Sequence, residues 1–189
     1  MIENKCREGW FGASDVAFVV GNWNTKTFEK FWQQKMGWNT EHFDNKYTLA
    51  GTNYEHKILE SLGIPMELDK QILVPELSLR VNLDGNSSDT IYECKTYQYK
   101  KGWKCPKKYQ QQVMVQMFAS GLRNAKIIHY GLVEEEYDNY FREIDANRRG
   151  EEIVQYDENW INCVFLPKLK YLSHCLKNGF FPVEGVWKQ

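Results

Sequence analysis

Asp84, Glu93 and Lys95 stand at a spacing that suits a metal-dependent phosphodiesterase: a carboxylate at a strand end, a turn, then Glu-x-Lys on the next strand. A hard divalent cation such as Mg2+ prefers oxygen ligands and keeps several waters. Two carboxylates and one backbone carbonyl, that of Cys94, therefore suffice to hold it beside a phosphate. Such an ion polarises a phosphoryl oxygen and lowers the pKa of an attacking water, while an adjacent ammonium positions that water or offsets developing charge. Mn2+ suits the same ligands. The residues taken alone leave a plainer alternative open, in which Glu93 and Lys95 are a solvated same-face pair and Asp84 is a turn-former before Gly85.

The surrounding pattern says how these groups are carried. Leu77, Leu79, Val81 and Leu83 alternate with polar residues, which predicts a strand with those four on a core and Asp84 turned away. Gly85 and Asn86 are expected to turn the chain into a second strand over residues 90–99, whose period of two puts Glu93 and Lys95 on one face. Another strand is expected near residues 66–74. Upstream, Ser14 is placed to cap a short helix over residues 15–20, and Phe28, Phe31, Trp32 and Met36 mark a second helix stopped by Gly37. A third runs from about 45 to 62, with Tyr47, Ala50, Tyr54 and Ile58 at helical spacing and Glu55 flanking that stripe. Downstream, Pro106 opens a helix reaching Ser120 on which Gln112 and Gln116 share a face. Strands over 125–133 and 140–144 and a helix capped by Asp157, bent at Pro167 and ending at Asn178 and Gly179, complete the order.

With 189 residues, 42% of them hydrophobic, one domain spanning 1–189 with a substantial core is expected. The formal charge of −1 gives no global attraction to nucleic acid, so any such footprint must be local. Lys95 to Lys108 holds six lysines and no acidic residue, interleaved with Tyr97, Tyr99 and Trp103. Lys100, Lys101 and Lys104 could track a phosphate backbone and the aromatics could stack on frayed bases, although a solvated loop has the same composition. Five cysteines without a CxxC pair point to reduced thiols rather than a disulfide framework or zinc ribbon. No apolar run approaches the ~20 residues of a membrane span, and the expectation is a protein of the cytoplasm.

Five short motifs, in order, are similar to those of the PD-(D/E)XK nuclease superfamily, and within it the phage lambda exonuclease and YqaJ-type viral recombinase family. Arg7 to Asp15 resembles the opening Arg-x-Gly segment that ends in Ala-Ser-acidic, and Gly51 to Glu55 the Gly-x-x-Tyr-Glu helix. Leu83-Asp84-Gly85 resembles the Pro-Asp-Gly turn, Glu93-Cys94-Lys95 the Glu-x-Lys strand, and Tyr109 to Val113 the Tyr-x-x-Gln-Val helix. The resemblance implies an α/β fold, a central mixed β-sheet flanked by helices, and a Mg2+-dependent exonuclease acting 5′ to 3′ on linear double-stranded DNA in recombination. It implies that Asp84 and Glu93 bind the metal, that Lys95 assists the attacking water, and that Glu55 and Gln112 support both. Arg7 and Ser14 would receive the terminal 5′-phosphate, with Asn82 at the position of a family serine. A phage or prophage protein in the bacterial host cytoplasm, a homo-oligomer, a trimer by resemblance, and a single-strand annealing partner are implied too. The rivals are an endonuclease of the same fold, of restriction or host-takeover type, and a non-catalytic DNA-binding or inhibitory phage protein. From the residues alone, Glu55 is otherwise a surface carboxylate, Gln112 an internal hydrogen-bonder and Ser14 a helix cap.

Overall fold

A computed structural model describes residues 8–38 and 45–186. Its described residues form a five-stranded sheet in the order β1 (Glu67–Val74), β2 (Leu79–Asn86), β3 (Thr90–Gln98), β4 (Asn124–Leu132) and β5 (Arg149–Ile153). All neighbours are antiparallel except β3 and β4. A parallel pair needs a crossover, and α4 (Lys107–Ser120) supplies it.

Alternation along the strands builds two cores. Leu79, Val81 and Leu83 of β2, Ile91 of β3 and Ile127 of β4 face a larger cluster. It is completed by α1 (Val16–Val19), α2 (Lys26–Lys35), α4 and α6 (Leu166–Asn178). Tyr92, Cys94, Ile128 and Tyr130 face the other way, onto Ala50, Tyr54, Ile58 and Leu59 of α3 (Lys46–Glu60). Among the described residues no helix is long and apolar enough to cross a membrane. The four described cysteines are free.

The start of a helix near residue 45 and the cap at Asp157 hold as expected, with identifiable chemistry. Asn45 caps α3 by accepting from the amides of Tyr47 and Thr48, and Asp157 caps α5 (Glu158–Trp160) by accepting from Trp160. The single helix expected from Asp157 to Asn178 is divided before Pro167 by a π-helical stretch over Ile161–Phe165, a local widening that suits a residue without an amide hydrogen.

Other expectations are corrected. Residues 140–144 are not a strand; Tyr140 and Ile144 pack against the smaller core, and the last strand is β5, whose Gly150 lies opposite His129. A β-carbon on Gly150 would lie 2.5 Å from that imidazole, so close approach requires glycine there. Ser14 does not cap a helix: the turn over Ala13–Asp15 is entered at Gly12, and α1 begins after Asp15 without a side-chain cap. Gly85 and Asn86 do not turn the chain but continue β2, and the turn falls at residues 87–89, closed by the Ser87 amide donating to Thr90. Nor does β2 begin at Leu77, which ends a 3-10 turn followed by Ser78 in a left-handed conformation.

Candidate active site

The β2–β3 pair is joined only at Gly85↔Tyr92 and Asn86↔Ile91, beyond which the two strands diverge. β2 also changes face at this point. Leu83 belongs to the larger core, whereas a β-carbon on Gly85 would meet Met66 at 2.8 Å and Leu59 at 3.2 Å, on the smaller core's side. The β1–β2 register passes over Asp69 and Asp84, and Asp69 has φ 58°. Asp84 therefore leaves the ladder where the sheet splits. Its Oδ2 accepts from the Cys94 amide at 2.8 Å, doing for β3 what the β2 backbone no longer does.

Glu93 projects from β3 toward α4 and is 1% exposed. Three donors converge on it. Lys95 Nζ and Gln112 Nε2 both reach Oε1 at 2.5 Å, and Gln116 Nε2 reaches Oε2 at 2.5 Å. Gln116 is fully buried and also donates to the Asn82 carbonyl at 3.2 Å, so one side chain ties α4 to both diverging strands. The sequence shows Gln116 one turn beyond Gln112 on the same face, but only the packing reveals that it orients Glu93.

Glu55 enters from α3, on the opposite side of the split. It lines, with Asp84, Glu93, Lys95 and Gln112, a cavity of about 250 Å³ whose far wall is Ser14, Arg80 and Asn82. Burial, and then the charge of Glu93, pushes the Glu55 carboxyl up to about 7. Burial likewise raises Asp84 well above the usual carboxylate range, with Glu93 and Glu55 adding to it. Burial works against the Lys95 ammonium, but the charges of Glu93 and Asp84 outweigh it and keep that pKa above its ordinary value. Three carboxylates thus meet the Lys95 ammonium in a confined space that Arg80 also lines.

The loop carrying Ser14 is held from behind by a pair the sequence did not announce. Asp15 Oδ2 accepts from buried Lys35 of α2 at 2.6 Å and from the Gly12 amide at 2.7 Å. This leaves Ser14 exposed at the cavity rim. Arg7 lies outside the described residues. Asn82 is exposed, and its side chain accepts from Gln71 at 3.1 Å. Lys100, Lys101 and Lys104 are exposed on the segment after β3. The aromatics expected to stack on bases fare differently. Trp103 stacks on His129 at 4.3 Å and 6°, with its indole NH bonded to Glu152, and Tyr97 tilts against both rings, while Tyr99 remains exposed.

The donor set suits a hard divalent cation, being oxygen ligands of like charge. Among the described residues, the His, Cys, Asp and Glu ligand atoms that lie within 4.8 Å of one another belong to Glu55, His56 and Asp69, with His56 and Asp69 paired at 3.1 Å. Asp84 and Glu93, the two expected ligands, are both outside that triad, Asp84 accepting from the Cys94 amide and the Glu93 oxygens engaged by Lys95 and the two glutamines.

Comparison with solved structures finds the same fold in several nucleases. The alkaline exonuclease of Laribacter hongkongensis superposes with a TM-score of 0.64 at 19% identity, covering 92% of this chain and 94% of that one. The same enzyme in complex with dAMP gives 0.70 at 17%, covering 92% and 90%. A phage-related exonuclease from Haemophilus somnus 129PT gives 0.58 at 16%, covering 89% and 92%. These likenesses confirm the mixed sheet flanked by helices that the motifs implied. No curated protein sequence matches the chain. The YqaJ-like viral recombinase domain model matches residues 4–123, a stretch that contains every one of the five motifs and the whole cavity described above, and the chain therefore belongs to the YqaJ-like viral recombinase family.

Proposed function

We propose that the chain is a divalent-metal-dependent deoxyribonuclease that removes nucleotides 5′ to 3′ from the ends of linear double-stranded DNA. The observation that carries this reading is the cavity at the β2–β3 split, which Asp84, Glu93 and Glu55 line together, with the Lys95 ammonium against Glu93. Asp84, Glu93 and the Cys94 carbonyl would hold the ion, with Glu55 beside them. That carbonyl faces the split because the N–H and C=O of one extended residue project to the same strand edge, and the Cys94 amide already points at Asp84. When bound, Mg2+ or Mn2+ supplies a polarised phosphoryl oxygen and a more acidic water.

The chain's own residues do the rest. Gln116 and Gln112 fix the Glu93 carboxylate, so that it is oriented before any substrate enters. Lys95, fully charged at neutral pH, presents donors to an entering water or to a phosphate oxygen. Glu55, poised near neutrality, can exchange a proton with a water in the cavity. Ser14 and Arg7 would receive the terminal phosphate, Asn82 would stand in for the phosphate-contacting serine of the family, and Lys100, Lys101 and Lys104 would follow the backbone. Assembly as a trimer and hand-over of single strand to an annealing protein belong to the same reading and rest on the family resemblance.

Digestion of end-labelled linear duplex in Mg2+ is expected to release 5′-terminal mononucleotides and to slow when the 5′-phosphate is removed, while covalently closed plasmid resists. Rapid nicking of that plasmid would replace this assignment with an endonuclease.

Metal and pH are expected to act together on stability. Glu55 has a folded pKa of about 7 against an ordinary 4.5, so the folded chain keeps a proton that the unfolded chain releases between those values. Stability present at low pH is therefore lost as pH rises through that window. In thermal unfolding with EDTA the midpoint should fall by about 4 °C or more between pH 5 and pH 8, with Mg2+ restoring it at pH 8. A midpoint insensitive to Mg2+ at pH 8 would speak against ion capture by these carboxylates.

A further inference from the structure

The chain between β3 and α4 carries a run of cations broken by one indole. Lys100, Lys101 and Lys104 are exposed, and Gly102, at φ 68°, closes the short turn over Tyr99–Lys101. Trp103 follows that turn and reaches back to the sheet. Its seat is a row of paired residues: Lys95 of β3 lies opposite His129 of β4, and His129 opposite Gly150 of β5. Directly paired residues present their side chains to one face, so Lys95 and His129 are neighbours on it, and Gly150 contributes only room. Glu152, two residues along β5, shares that face.

Trp103 uses every part of that row. The indole lies on the imidazole of His129, and its NH donates to the Glu152 carboxylate, an acceptor whose charge strengthens the bond. Tyr109, in the first turn of α4, is nearly parallel to the indole, with centroids 6.3 Å apart at 16°. The Lys95 ammonium in turn sits 5.2 Å from the Tyr109 centroid, while it donates to the Glu93 carboxylate. One ring therefore links the β5 edge of the sheet, the lysine segment and the aromatic face beside Lys95.

We propose that Trp103 is a positioning residue of this site: docked on His129 and Glu152, it holds Lys100, Lys101 and Lys104 against the sheet and keeps Tyr109 beside the Lys95 ammonium; the proposal rests on the nuclease reading. Lysines on a loop that is already ordered present their charge without paying the ordering cost when a polyanion arrives. Lys95 gains a second constraint. The Glu93 carboxylate fixes one direction of its ammonium and the π-face of Tyr109 another, so the donors left over point the same way before any water or phosphate enters. Without the indole, Tyr109 loses the ring that backs it and the lysine segment loses its tie to β5.

Three measurements on the wild-type chain, Trp103→Ala and Trp103→Phe test this. Trypsin cleavage after Lys100, Lys101 and Lys104 should quicken about tenfold or more in Trp103→Ala and little in Trp103→Phe, which keeps the stack. In metal-free buffer, the slope of log affinity for linear duplex against log salt should flatten by about 1 to 3 in Trp103→Ala, as lysine–phosphate contacts are lost. In Mg2+, its kcat should fall about 10- to 100-fold, with Trp103→Phe retaining most of the rate. A merely structural indole would lower the unfolding midpoint and leave the salt slope and the kcat of the folded chain at their wild-type values, and that result overturns the proposal. Should Trp103→Ala fail to fold, Glu152→Ala, which withdraws only the acceptor of the indole NH, is expected to move the same readouts in the same direction, and its moving none of them overturns the proposal equally. If the trypsin and salt readouts respond while the wild-type chain cuts no DNA in Mg2+, the docking of the lysine segment stands and the nuclease reading falls.

Discussion

Asp84→Ala is expected to lower cleavage of linear DNA by at least about a thousandfold in Mg2+ while leaving DNA affinity within a few-fold of the parent. Asp84 is the carboxylate at the split between the strands, lifted out of the ladder and satisfied on one oxygen by the Cys94 amide. Its removal withdraws a metal ligand without touching the exposed lysines after β3. The same change should not destabilise the metal-free protein. Burial and the charges of Glu93 and Glu55 already hold the Asp84 carboxyl far above its usual range, so losing it relieves a cost that offsets the acceptor withdrawn from the Cys94 amide. Rates and unfolding midpoints measured on the same preparations check both halves. Undiminished cleavage in Mg2+ would end the assignment of this cavity to hydrolysis.

The second large effect concerns Lys95, whose ammonium lies against a carboxylate that is 1% exposed. Breaking a buried pair by deleting one partner typically costs about 3–5 kcal/mol, because the surviving charge is left without compensation. Lys95→Met should therefore both destabilise the protein by about that amount and reduce the rate by a factor on the order of a hundred or more. Adding Glu93→Gln removes the stranded charge, and the glutamine oxygen still accepts from Gln112 or Gln116. The double variant should recover most of the stability and none of the activity. Chemical denaturation of the four chains of this cycle decides the matter: if Lys95→Met costs no more than an exposed pair does, under about 1 kcal/mol, the pair is not the buried one described here.

Much of the fold could be read from local patterns because the relevant signals are short-range. The period-two alternation of Leu79, Val81 and Leu83, the helical stripe of Ala50, Tyr54 and Ile58, and the capping side chain of Asp157 each involve contacts a few residues apart. The failures are instructive for the opposite reason. Ser14 has the chemistry of a cap, yet the loop around it is organised by Asp15 pairing with Lys35, twenty residues away. Residues 140–144 look like a strand, but β5 at Arg149–Ile153 holds the edge beside β4, where Gly150 admits the His129 ring. Trp103 has the composition of a stacking residue for bases and is instead consumed by His129 and Glu152, whereas Tyr47, read only as part of a buried stripe, is left exposed.

Residue types and spacing were enough to single out Asp84, Glu93 and Lys95, because ligand chemistry and strand periodicity are written in the chain itself, while the resemblance of five ordered motifs implied Glu55, Gln112 and the mixed sheet. Folding alone decided that Asp84 would stand where β2 and β3 part, that Gln116 would hold Glu93 in place, and that Glu55 would arrive from the far side of the sheet. Those outcomes depend on a change of face in β2, a crossover helix and a left-handed residue in β1, and on how burial sums the charges that meet there. Such sums exist only between side chains brought together from distant positions, and no local window contains them.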